Sequence, residues 1–478
     1  MSSVPRTVLG SNLVRRADES VRTGPSYQEI IRGDRVAAPA DIYEHHIPDL
    51  PVTPIARDRY TSPDFHAREM SAMWTRVWQL AGREEQVPEA GDLLVYEIAD
   101  NSILVVRGAD RRIRAFRNTC LHRGTKLCAM DTHVAELRCP FHGFTWDLQG
   151  KLIDIPSRWD FPHIEDKSFG LHQVRCETWG GFIFINTDKD APPLLDYLEV
   201  LPNHFTGFSD FNNKYIAAWY RKKLDCNWKA AIEAFIENYH SLETHPQTVR
   251  TNVDDNTQYD VFPGNRHISR FLIGMGLQSP HLAATLSEEE IFAAMYGFLA
   301  PGAKPPSIPK GMTARNYLAE LSREMGAQMS GNDYSTCSDA EALDPIQYLV
   351  FPNMVLFRGF GFPVVYRFRP DGHNPSASIF DMFVMRDVPA AGRPEPAEVR
   401  EFGERSFMEA AQELPPWSRE IYDQDVRNLA WQQQGLKAGG PEGICLSREH
   451  EVRIRHLHNT LDEYLARGPL RPASVRRG

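Results

Sequence analysis

The chain has 478 residues, 42% hydrophobic and 24% charged, with 53 basic and 63 acidic side chains for a formal net charge of -10. That composition excludes a wholly disordered chain and leaves apolar material for more than one core. An acidic chain without a long Lys/Arg block is a poor nucleic-acid binder by its overall field, and no nucleic-acid partner is expected. No stretch approaches the ~20 apolar residues of a membrane span, and the first fifteen residues lack the apolar core of a secretory signal. A soluble, cytoplasmic protein that engages no membrane is expected. Seven cysteines, an odd number, make no disulfide framework, so the question is which of them bind metal.

Residues 1–55 carry scattered Pro, Gly and Arg and read as an N-terminal arm. A helix is predicted over 62–80, with Ser62 as N-cap and Pro63 at the first helical position. From Gly91, short apolar or alternating runs at 93–98, 103–106 and 113–116 are divided by turns such as Gly108-Ala109-Asp110. They predict an antiparallel sheet, continued by strands at 172–178 and 181–186. Pro192-Pro193 mark a boundary. Beyond it come a helical stretch near 194–204, a strand over 214–224 and an amphipathic helix from about 226 to 242. Residues 281–345 read as helical and loop-rich. Strands return at 348–357, 364–369 and 378–385. Two helices close the chain near 418–434 and 447–466, stopped by Gly435 and Gly468.

The first chemical constellation is Cys120-Leu121-His122, then sixteen residues, then Cys139-Pro140-Phe141-His142-Gly143. Thiolates and imidazoles are ligands for zinc or for iron–sulfur clusters. Structural zinc sites pair like ligands at C-x2-4-C and H-x3-5-H. Here each short clip pairs one cysteine with one histidine, which suits a [2Fe–2S] centre with two thiolates on one iron and two imidazoles on the other. Cys128, Cys176, Cys226, Cys337 and Cys445 have no such partners and read as small buried apolar residues.

The second constellation lies on the helix after Cys226. Trp228, Ala231, Ile232, Phe235, Ile236 and Tyr239 share one stripe, and Glu233, Glu237 and His240 another. His245 follows His240 by five residues, and Pro246 ends the helix. A bare H-x4-H reads as surface or capping histidines. Next to the upstream clips it reads as part of a two-histidine, one-carboxylate iron site with positions open for O2.

The stretch Asn118-Thr119-Cys120-Leu121-His122-Arg123-Gly124, with Cys139-Pro140-Phe141-His142-Gly143-Phe144, resembles the Rieske motif of the large (α) subunits of Rieske non-haem iron oxygenases. Glu237-Asn238-Tyr239-His240 with His245 resembles that family's E-x-Y-H-x4-H signature. The resemblance runs from about Tyr60 to the final helix. It implies that Cys120 and Cys139 hold one iron of a Rieske [2Fe–2S] cluster, and His122 and His142 the other. It implies a mononuclear Fe(II) on His240, His245 and an acid that lies eight residues before a Gln; counting back from Gln433 gives Asp425, with Asp423 as runner-up. The family usually has a second acid just before this ligand, where this chain has Gln424. Glu237 matches the carboxylate that bridges a cluster histidine of one subunit to an iron-ligand histidine of the next, which implies a homotrimer, with or without a β subunit. Glu233 reads as support for the site or as surface.

The fold expected is α+β: a β-rich Rieske domain with its leading helix over 56–187, and a helix-grip catalytic domain, an antiparallel sheet around a long helix, over 188–478. The function implied is that of a terminal oxygenase component. It would use O2 and electrons from an external NADH-dependent reductase, through a ferredoxin or directly, to hydroxylate a small apolar, aromatic substrate, as in aromatic hydrocarbon catabolism. The chain has no G-x-G-x-x-G dinucleotide site of its own. The alternatives are oxidative N- or O-demethylation, hydroxylation of a polycyclic or steroid-like substrate, and a pure Rieske electron carrier. Phe351, Met354, Phe357, Phe360 and Phe362 are candidate pocket residues.

Overall fold

Alternation along 92–117 gives each strand one apolar face, and the faces find their partner in a sheet. The computed structural model describes residues 22, 24–389, 392–395, 397–439 and 442–470. In it Asp92–Ile98, Asn101–Arg107 and Ile113–Arg117 form an antiparallel meander. Gln173–Trp179, Phe182–Asn186 and Gln79–Arg83 extend it on one side and Thr132–His133 on the other, seven strands in all. A three-stranded sheet of Leu137–Arg138, Thr145–Trp146 and Leu152–Asp154 belongs to the same unit. Leu137, Phe144, Trp146 and Leu152 pack with Leu93, Leu104, Val106 and Phe116 into one core, which also takes in Cys120 and Cys139. This unit comprises Ser62–Leu198, Arg369–Pro375 and residues 461–470.

The helix predicted over 62–80 is shorter. Ser62 accepts from Phe65 N and Pro63–Arg68 is α-helical, Glu69–Met73 continues as a π turn, and Leu80 lies in the strand Gln79–Arg83. Every residue of that strand is buried, and a short apolar run fits a strand buried on both faces as well as a helical stripe. The compact unit ends at 198/199 rather than at 187/188, because the helix Leu194–Leu198 stays with the strands before it: Leu194 N donates to Glu177 at 2.9 Å.

The second unit comprises 24–61, Glu199–Phe368 and Ser376–Thr460. Its eight-stranded sheet runs in the order Gln258–Val261, Ile268–Leu272, Ile346–Val350, Met354–Arg358, Val364–Pro370, Ser378–Asp387, Lys214–Leu224, Val399–Glu401. The strand expected at 348–357 is a hairpin that turns at Phe351-Pro352-Asn353, where proline has no N–H for a ladder. The helix Pro416–Lys437 runs through Gly435 and buries one stripe, Arg419, Tyr422, Asp425, Leu429 and Gln433. The helix packs against the strand Lys214–Leu224 and the helix Trp228–Ala234. The α+β architecture expected is found. Among the described residues no helix is long and apolar enough to cross a membrane.

Residues 24–55, expected as a separate arm, are part of this second unit. Tyr27 donates to Asp344 at 2.9 Å, Asp34 pairs with Arg315 at 2.7 Å, Asp41 pairs with Arg358, and the backbone N–H groups of Arg35 and His46 donate to Asp339 and Asp260. Polar anchors hold the segment, which is why its hydrophobic periodicity is weak. The rest of the arm, 1–21 and 23, lies outside the described residues.

Candidate metal centres

The two cysteine–histidine clips fold as the same turn used twice. Cys120 N donates to Thr125 O and Cys139 N to Phe144 O, both at 2.8 Å; Gly124 N returns to Cys120 O at 2.9 Å and Gly143 N to Cys139 O at 3.1 Å. Each turn closes on a glycine at φ +78°, a left-handed position that costs a residue with a Cβ. At Gly143 a Cβ would also stand 3.1 Å from Pro156 and 3.2 Å from Arg138. The turns bury both thiols and set the His122 and His142 rings 4.7 Å apart, edge to face, with His122 stacked on Phe144. Burial, with the Cys139 thiol as hydrogen-bond neighbour, raises Cys120; burial first, then the charges of His142 and Arg123, lowers His122, which stays neutral. His122 Nδ1 is buried without a hydrogen-bond partner, an expensive state for a ring nitrogen unless something takes it. Paired thiols, paired imidazoles and an orphaned nitrogen fit a [2Fe–2S] centre.

The second site begins where the ligand helix breaks. Asn227 caps Trp228–Ala234 by accepting from Lys229 N, and the helix expected to run to 242 stops at Ala234. Its end carbonyls go elsewhere: Phe235 O to the Gln347 amide at 2.6 Å and Ile236 O to Arg453 at 3.0 Å, while Arg453 also holds Gln347 at 3.0 Å. Burial brings this arginine down to about 9. The chain then turns over the carboxylate of Glu237, which accepts from the backbone N–H of Tyr239 and His240 and from His240 Nδ1. Ser241–Thr244 forms a short helix, and His245 follows it.

His240, His245 and Asp425 meet here, with one ligand atom of each within 4.8 Å of the others. The two Nε2 atoms are 3.2 Å apart, and Asp425 Oδ1 lies 3.5 Å from His240 and 3.0 Å from His245. His245 Nδ1 donates to Gln424 Oε1 at 2.7 Å, so both rings turn Nε2 inward. Burial opposes charge on His240, but Glu237 and Asp425 outweigh it and hold the ring well above the usual imidazole range. Burial likewise opposes ionisation of Asp425, but the two histidines bring it down to about 2. Three acceptor atoms crowded this closely share protons or hold a cation, and a two-histidine, one-carboxylate set suits Fe(II).

The long helix hooks this segment at both ends. Gln433 Oε1 accepts from Asn227 N at 2.9 Å, and Asn428 donates to Thr244 Oγ1 at 3.0 Å. Asp423, the alternative acid, caps another helix through Phe407 N and Met408 N. Glu233 is not surface: it is buried between Tyr60 at 2.9 Å and His458 at 2.9 Å. Cys226 and Cys337 are buried as expected, whereas Cys445 is exposed. Phe351 and Met354 are fully buried core. Tyr422, one turn before Asp425 on the same buried stripe, packs in a ring cluster with Phe235, Tyr366, Phe368 and Phe380, with the Tyr366 and Tyr422 hydroxyls 2.6 Å apart. Both phenols are raised by burial, and both feel the charge of Asp425. Spacing alone did not single out Gln247, Asn428, Gln347, Arg453 or this ring cluster; the i, i+4 relation of Gln424 and Asn428 was the available signal.

Residues 211–467 match the model of the ring hydroxylating alpha subunit (catalytic domain), and residues 77–165 that of the Rieske [2Fe-2S] domain. Among curated relatives, the glycine betaine monooxygenase oxygenase subunit of Pseudomonas aeruginosa is 33% identical over 186 residues, 38% of this chain and 42% of that one. The biphenyl 2,3-dioxygenase subunit alpha of Rhodococcus jostii is 34% identical over 191 residues, 39% of this chain and 42% of that one. The matched stretch thus spans well under half the length of these relatives. A solved quaternary ammonium Rieske monooxygenase superposes with TM-score 0.61 at 17% identity, covering 87% of this chain and 99% of that one. Naphthalene 1,2-dioxygenase from Rhodococcus sp. superposes with TM-score 0.54 at 18% identity, covering 87% and 95%. At these identities the likeness speaks for the fold.

Proposed function

Because the chain belongs to the ring-hydroxylating alpha-subunit family, with a Rieske domain ahead of the catalytic domain, we propose that it is a terminal oxygenase component. It takes electrons from an external NADH-dependent reductase, directly or through a ferredoxin, and uses O2 to oxidise a small organic substrate. The observation that carries this reading is the convergence of His240, His245 and Asp425 in a chain that also holds two cysteine–histidine clips. Cys120, Cys139, His122 and His142 would hold the [2Fe–2S] cluster, and His240, His245 and Asp425 the mononuclear iron. Bound there, the iron supplies the one-electron and O2 chemistry that side chains lack.

The chain's own residues do the rest. Glu237 and Gln424 each hold a ring Nδ1–H and so present both Nε2 atoms to one point. Glu237 also serves, in this reading, as the link on which a cluster histidine of a neighbouring copy ends, which makes the working unit a homotrimer, with or without a β subunit. Phe235, Tyr366, Phe368 and Tyr422 pack together one helical turn before Asp425 and would give the site an apolar, π-rich side. Such faces take an aromatic ring by stacking or an N-methylated cation by cation–π contact. Ring hydroxylation is the first reading. Oxidative N-demethylation is the second, favoured by the similarity to the glycine betaine enzyme's subunit.

The test is metal analysis with electron paramagnetic resonance on anaerobically purified, dithionite-reduced protein, followed by O2 uptake with reductase. About three irons per chain and a Rieske-type signal are expected. Aromatic hydrocarbons and methylated ammonium compounds, assayed in parallel, separate the two substrate readings. Zinc without the signal overturns the proposal.

A further inference from the structure

The two histidines of the triad are held by unlike partners. His240 leans on the carboxylate of Glu237, whereas His245 leans on an amide. Gln424 Oε1 accepts from His245 Nδ1 at 2.7 Å and from Gln247 Nε2 at 2.9 Å, and Gln424 Nε2 faces Gln247 Oε1 at 3.4 Å. The His245 Nδ1–H fixes which end of the Gln424 amide faces the ring, and Gln247 pairs with that amide in both directions. Turned over, the Gln424 amide would point its N–H at the ring N–H and leave both donors unpaired. One turn along the helix, Asn428 ties Thr244 at 3.0 Å. Gln424, Asp425 and Asn428 thus grip the turn 244–247 from one helix face, and only Asp425 brings charge.

We propose that Gln424, paired with Gln247, is the positioning residue of His245, and that its neutrality makes the two histidines unequal ligands of the mononuclear iron. A carboxylate acceptor makes an imidazole a stronger donor than an amide acceptor does. His240 is then the electron-rich ligand and His245 the weaker one. A glutamate at 424 would equalise them and add a negative charge beside the iron. The inference rests on the metal-site reading given above and deepens it.

The experiment uses full-length protein, anaerobically depleted of mononuclear iron, in wild-type, Gln424→Leu and Gln424→Glu forms. Fe(II) is titrated back, and nitric oxide is added as a spectroscopic probe of the refilled site. Gln424→Leu is expected to weaken Fe(II) binding about 10–100-fold, with the Rieske signal unchanged and the nitrosyl signal altered in rhombicity. Gln424→Glu is expected to restore binding to at least the wild-type level and still to shift the nitrosyl signal. Wild-type affinity and an unaltered nitrosyl signal in Gln424→Leu overturn the proposal. If Gln424→Leu fails to fold, Gln424→Glu decides alone, and a wild-type nitrosyl signal there overturns it. Should the wild-type protein itself take up no Fe(II) beyond the cluster iron, the metal-site reading falls and this inference with it. Uptake by wild type with indifferent variants removes only the role of Gln424.

Discussion

Each cysteine–histidine clip closes its own hydrogen bonds within six residues, whereas the triad takes its third member from a helix 180 residues beyond His245. The clips need only their glycines and the core under the two cysteines. The triad needs Arg453 and Gln347 to end one helix, and Gln433, Asn428 and Gln424 to bring another into register. A centre built from self-contained turns tolerates distant change; a centre built from hooks between distant segments inherits every weakness of those segments.

The sharpest way to break this comparison is Asp425→Ala. It should abolish oxygenation and drop the iron content from about three to about two per chain, with the Rieske signal intact. Loss of the cluster signal in the same variant would show that the two centres do not stand independently. Glu237→Gln comes next. It keeps an acceptor for His240 but removes the charge, and turnover should fall about 10–100-fold while iron analysis stays at the wild-type value. Arg453→Met strips Ile236 O and the Gln347 amide of their donor, a loss of about 1–3 kcal/mol for each buried group left unsatisfied. Thermal unfolding should show it in the catalytic unit, with the Rieske absorbance unmoved up to its wild-type transition.

The smallest effect is a pH dependence. In the metal-free protein the raised His240 carries a proton at neutral pH, because its pKa lies above the ordinary imidazole value. Fe(II) must displace that proton, so its affinity should fall as pH drops, by up to about tenfold per unit below the His240 pKa. Asp425, at about 2, stays ionised and adds nothing to the dependence until strongly acid pH. His122 is lowered, mainly by burial, so the clips hold a neutral ring at pH 7. Calorimetry in buffers of different ionisation enthalpy should detect about one proton released per Fe(II) bound at pH 7; none released would refute the charged state of His240.

Much of the triad was legible through the family resemblance, which pointed to His240, His245 and the acid eight residues before Gln433. Counting eight residues back from Gln433 reaches Asp425 for a physical reason: eight residues are a little over two turns, so both side chains lie on the buried stripe. From that stripe Gln433 holds the start of the first ligand helix at Asn227. The glycine at 435 did not stop this helix, since a single glycine costs an interior turn only about 1 kcal/mol. The break after Ala234 was not legible, because Phe235 and Ile236 continue the apolar stripe and their carbonyl partners lie more than a hundred residues away. Residues 24–55 were misplaced for a related reason: Asp34 and Asp41 pair with Arg315 and Arg358, Tyr27 donates to Asp344, and such polar contacts leave no periodic trace.

The amino-acid sequence by itself determined what local spacing can determine. It specified the two clips and their glycines, the alternation that builds the meander, and the helix face shared by Asp425 and Gln433. Tertiary structure alone decided that His240, His245 and Asp425 converge while Asp423 caps another helix, that Glu233 is buried against Tyr60 and His458, and that His240 and His245 rest on partners of different charge. The physical reason is that hydrogen bonds within a turn are fixed by neighbours in the chain, while a buried polar group takes whatever donor or acceptor the packing of remote elements brings to it.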